Sequence, residues 1–146
     1  RKGIEFRSLN DPDGDAAVAL VFYLPDAQKA QSTAAALQAE GLPAGVMYRP
    51  DNTDYHIYAH WSPIMNQRTW HPEANPWKNH PREIHYTKDQ CPQTLGLLGR
   101  AIHMDISPDL NNNQLEEILA PISKVVLLDE ILQQSCWLGG CCVTHM

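Results

Sequence analysis

Ala16-Ala17-Val18-Ala19-Leu20-Val21-Phe22-Tyr23-Leu24, bounded by Asp15 and Pro25, is a short and continuously apolar run. Its length and content suit a central strand covered on both faces. Downstream of Pro25, the stretch from Asp26 to Glu40 is rich in Ala, Gln, Lys and Leu, and Gly41 offers the left-handed conformation that closes helices. A strand followed at once by a helix predicts an α/β layer. The stripe Ala30, Ala34, Leu37 is thin, so this helix is expected to lie close to a sheet.

The same reading extends in both directions. Arg1 to Asp15 is charged and turn-rich, with a short strand at Ile4 to Arg7. Ala44 to Arg49 predicts a second core strand, ended by Pro50. Asp89 to Gly99 predicts a short helix with Pro92 in its first turn. Ala101 to Ile106 predicts a further strand, with Ile102, Met104 and Ile106 alternating against His103 and Asp105. Asn111 with Gln114 resembles a capping box, and Leu115, Ile118, Leu119, Ile122, Val125 and Val126 recur at helical spacing. Pro121 is expected to kink or divide that helix near Leu119.

Between Pro50 and Pro92 regular periodicity gives way. Three tryptophans, three tyrosines, five histidines and six prolines fall in this interval, which predicts an irregular segment held by aromatic packing, with one helical piece around Pro63 to Gln67. A long structured loop of this kind is more often functional than decorative.

A chain of 146 residues suits one domain able to bury its own core. The expected organisation is a lead-in segment at 1–13, a domain at 14–134 and a Cys-rich, disordered tail at 135–146. The expected fold is α/β in the α+β sense, a small mixed or antiparallel sheet of three to five strands with helices mainly on one face. A formal charge of −6, with eleven scattered Lys and Arg, argues against a nucleic-acid partner. Apolar runs are too short to span a bilayer and no signal pattern opens the chain, so no membrane partner and a cytoplasmic location are expected. Cys136, Cys141 and Cys142 crowd near one end while Cys91 stands alone, which is not a disulfide framework.

Four stretches carry a family resemblance: Ala19 to Leu24 leading into a helix that ends Ala39-Glu40-Gly41; Tyr55-His56-Ile57-Tyr58-Ala59-His60-Trp61; Asn75-Pro76-Trp77; and Cys91-Pro92-Gln93-Thr94-Leu95 with Arg100 to Leu110. Together they resemble the small C-terminal domain of the DegT/DnrJ/StrS family of pyridoxal-phosphate-dependent sugar aminotransferases, from about Gly14 to Val126. Members of that family hold the cofactor on a larger N-terminal domain through a Schiff-base lysine, and the small domain closes over the substrate. The resemblance therefore implies an orphan domain that is not catalytic alone and acts as a binding or interaction module. Left open beside it are one half of a split aminotransferase and a mobile-element gene fragment without a selected activity. It implies no cofactor for the isolated chain, pyridoxal phosphate only with a partner large domain, and a homo-oligomer or that separate large domain as partner.

By the same resemblance, His56, Tyr58, His60, Trp61, Asn75 and Trp77 are the candidate substrate-binding residues, with a sugar as candidate ligand. Read from the residues alone, these rings equally fill a partly buried loop or cover an interface. No catalytic, cofactor or metal residue is assigned. Lys78 and Lys88 lack a glycine-rich phosphate cradle, Arg49, Arg68 and Arg82 read by default as surface residues, and Cys136, Cys141, Cys142 and His145 lack the C-x2-C pairing of a zinc site.

Overall fold

The computed structural model describes residues 4–138, and from 127 onward it describes the backbone alone. Four strands form one antiparallel sheet in the order β1-β2-β4-β3. They are β1 (Glu5–Phe6), β2 (Ala19–Tyr23), β3 (Gly45–Val46) and β4 (Ala101–Asp105), and the helices are α1 (Ala27–Ala39), α2 (Ser62–Met65), α3 (Pro92–Gly99) and α4 (Asn112–Leu138). The α+β architecture expected from the sequence is the architecture observed.

The core follows from the strand period of two. In the β2–β4 register Leu20 pairs with Met104 and Phe22 with Ile102, so these side chains share one face of the sheet. On that face they meet Ala30, Ala34 and Leu37 of α1, with Ile118, Ile122 and Val125 of α4 packed alongside. Phe22, Leu37, Ile102 and Met104 are the largest side chains wholly removed from water. The alanines of α1 let the helix axis approach the sheet closely, as its thin stripe predicts.

Local signals set the helix ends. Asp26 accepts the Lys29 N–H at 2.8 Å, capping α1. At its other end Gly41 stands at φ +89°, while Gly41 N–H reaches Gln38 O and Leu42 N–H reaches Leu37 O, both at 3.0 Å. That pair of bonds is a Schellman motif. Asn111 and Gln114 cap α4 reciprocally, each side-chain oxygen accepting the other's backbone N–H, at 3.0 and 3.1 Å. Pro121 lies inside α4 without dividing it.

Three elements differ in extent from the bounds expected. β2 begins at Ala19 rather than Ala16, because the Asp15 side chain accepts the Ala17 N–H at 2.8 Å and Ala17 turns to φ 50°. Val18 is consequently left outward-facing and exposed. β3 is only Gly45–Val46, although its neighbour Met47 still donates to Ala101 O at 3.1 Å. The α4 backbone continues to Leu138, beyond the expected boundary at 134. The rest of the Cys-rich tail, with Cys141, Cys142 and His145, falls outside the described residues. No described helix is long and apolar enough to cross a membrane.

Candidate functional site

The segment from Asp51 to Cys91 is irregular yet closely stapled. Tyr58 sits in a single 3-10 turn, Tyr58–His60. Its hydroxyl donates to Lys88 O at 2.9 Å and accepts the Cys91 N–H at 3.0 Å. One oxygen thereby ties the loop to the start of α3. His60 Nδ1 lies 3.0 Å from the Asp54 backbone nitrogen, and its ring lies 5.8 Å from that of Tyr48. The same Nδ1 lies 3.0 Å from Asp54 O as well, so the ring's tautomer decides whether it accepts from the Asp54 N–H or donates to the Asp54 carbonyl.

Asn75 is buried, and both its amide nitrogen and its carbonyl oxygen are bonded. Its amide donates to Gln67 O at 3.1 Å, and its carbonyl accepts Trp77 N–H at 3.0 Å and Lys78 N–H at 3.1 Å. Trp77 donates from Nε1 to the Tyr86 hydroxyl at 3.2 Å, and the two rings meet edge to face. Trp61 donates from Nε1 to Tyr55 O. Gln67 escaped the sequence reading. It holds a left-handed backbone at φ 51°, steadied by its own amide on Ile84 O and by the Asn75 bond to its carbonyl.

All six candidates from the sequence spend polar atoms on internal bonds within the segment or to its flanks, and His56 is set apart by its exposure. Its ring is almost wholly exposed, with Nδ1 2.8 Å from Asp54 Oδ1, and it borders a cleft of about 770 Å³ that none of the other five lines. The structure does not gather the six around one cavity.

The cleft runs along β3 and its flanks, residues 43–47. It is faced by Asp54 and His56 from the turn and by His103 and Asp105 from β4. His103 and Asp105 are two apart on one strand and so share a face, with Nε2 and Oδ1 3.7 Å apart. The Asp54 carboxyl is held below its ordinary value of 3.8, first by the His56 backbone N–H and then by the His56 ring. Among the described residues no lysine or arginine lines the cleft. Among the described residues no three His, Cys, Asp or Glu side chains converge to hold a metal ion.

Around the staples, apolar surface faces water. Trp70 is fully exposed, and Tyr55, Trp61 and Ile64 are each at least 40% exposed. A second cavity of about 460 Å³ lies between β1 and α4, lined by Ile4, Phe6, Leu119, Ile122 and Val126. No family model matches the chain.

Proposed function

We propose that this chain is a docking domain, built like the small domain of the DegT/DnrJ/StrS aminotransferases and not catalytic by itself. Its aromatic segment covers a partner, either a separately encoded large domain that holds pyridoxal phosphate or a second copy of this chain.

The observation that carries the reading is Trp70, fully exposed on a segment whose Tyr58, Trp77 and Tyr86 rings are hydrogen-bonded within it or to its flanks. A collapsed covering loop turns its largest ring toward the core. Here Tyr58, Asn75, Gln67 and Trp77 fix the backbone and leave Trp70, Tyr55 and Trp61 outward, a preorganised arrangement that lowers the entropy cost of docking. Exposed aromatic groups of this kind are the common anchors of protein interfaces.

The chain's own residues do not fit the cofactor. A Schiff-base lysine needs a desolvated pocket, whereas Lys78 and Lys88 are exposed and neither borders either cavity.

The test is sedimentation of the wild type and Trp70→Ser over a wide concentration range, alone and with an aminotransferase large domain. The wild type is expected to associate with itself or with that domain, and the variant to do so about tenfold more weakly or worse. Equal association of the two, or none by either, defeats the docking reading. Stoichiometric pyridoxal phosphate trapped on a lysine by borohydride defeats the non-catalytic one.

A further inference from the structure

The sheet order ends at β3, whose two residues pair with β4 on one side. Gly45 stands opposite His103 and Val46 opposite Ile102, and Met47 N–H bonds Ala101 O at 3.1 Å. Bonded and non-bonded pairs alternate along an antiparallel ladder. The Met47–Ala101 pair is bonded, so the Val46–Ile102 pair is not, and the Val46 N–H and C=O point away from β4. Among the described residues no strand continues the sheet beyond them.

This outward edge borders the 770 Å³ cleft, and the charge of that cleft has one sign. Asp54 and Asp105 face it with His56 and His103, and among the described residues neither lysine nor arginine does. Asp105 is 91% exposed and its nearest ring nitrogen is 3.7 Å away, so its carboxylate is available to a cation. The whole chain carries a formal charge of −6, which steers basic partners toward it.

We propose that the β3 edge is a docking site for an extended, basic peptide segment of another protein, which adds to the sheet as a fifth strand. Backbone bonds to Val46 give affinity and alternating side chains give specificity, as in β-augmentation generally. The peptide residue beside Val46 projects its side chain toward the α1 face and is apolar. Its two neighbours project toward His103, Asp105 and Asp54 and are lysine or arginine. The pattern read by the edge is basic, apolar, basic. This site is separate from the Trp70 surface and stands without it.

The probe is the blocked peptide acetyl-Val-Lys-Val-Lys-Val-amide, titrated into isotopically labelled intact chain and followed by amide chemical shifts. Shifts are expected at residues 44–47, His103 and Asp105. The peptide with both lysines changed to glutamate, and the lysine peptide N-methylated at its valines, are each expected to bind about tenfold more weakly or worse. Asp105→Asn, at an exposed position where folding is not at stake, is expected to weaken the lysine peptide severalfold. The proposal is overturned if the glutamate peptide binds as well, if N-methylation has no effect, if lysinamide competes on equal terms, or if residues 44–47 do not shift.

Discussion

At the scale of single residues, the Tyr58 hydroxyl shows how the irregular segment keeps its shape without a ladder. It bridges Lys88 O and the Cys91 N–H, so replacing it strands an acceptor and a donor together. Tyr58→Phe is expected to lower stability by about 0.5–1.5 kcal/mol in urea unfolding, the net worth of a hydrogen bond whose partners lie on exposed residues that water can reach. An unchanged midpoint contradicts the staple. Asp54 offers a second check. Its carboxyl sits below 3.8 first through the His56 backbone N–H and then through the His56 ring, so a carbon-13 titration should give a midpoint under the ordinary value, and His56→Ala should keep the part that the backbone bond supplies. Because the folded value is the lower one, the associated stabilisation is present at neutral pH and is lost as the pH falls through the depressed midpoint. A midpoint at or above 3.8 in the wild type removes the effect. Neither role is legible in a list of aromatic residues, which shows that rings are abundant and says nothing of which oxygen each one meets.

At the scale of elements, what was readable was what is local. Asp26 and Gly41 mark the two ends of α1, and Asn111 with Gln114 marks the start of α4, because caps are made within a few residues of themselves. Gly41→Ala tests this directly. At φ +89° a Cβ is strained even where nothing lies within 4 Å of it, and a loss of about 1–2 kcal/mol in thermal or urea unfolding is expected. A neutral outcome means that the Schellman geometry does not set the helix end. The strand lengths were less legible, and for a physical reason. Ala16 to Val18 are as apolar as their neighbours, yet a single acceptor on Asp15 turns the chain at Ala17, and only Val18 O, bonded by the Ile106 N–H, reaches the ladder ahead of β2. The extent of β3 depends on residues of β4 far along the chain. The cleft was hidden for the same reason, since Asp54, His103 and β3 meet only after folding and no sequence spacing links them.

At the scale of the whole molecule, the layers agree with the sequence because one apolar alternation in β2 matches another in β4, and the α1 stripe fits both. What no composition reveals is which rings remain outside. Trp70 is as aromatic as Trp77, but only Trp77 finds a hydroxyl to donate to, so the two part company in the fold. Trp70→Ser is accordingly expected to leave stability within about 0.5 kcal/mol of wild type, as for surface substitutions in general, while association falls. The central register joins Tyr23 to Ala101 and Ala19 to Asp105, across the whole irregular segment. A break in the exposed stretch at His80–Arg82 therefore separates two pieces, one with β1, β2, α1 and β3 and the other with α3, β4 and α4. Each holds only one side of the core, so the halves are expected to recombine when mixed, and the protein can serve as a two-fragment complementation pair whose reassembly reports on whatever is fused to the cut ends.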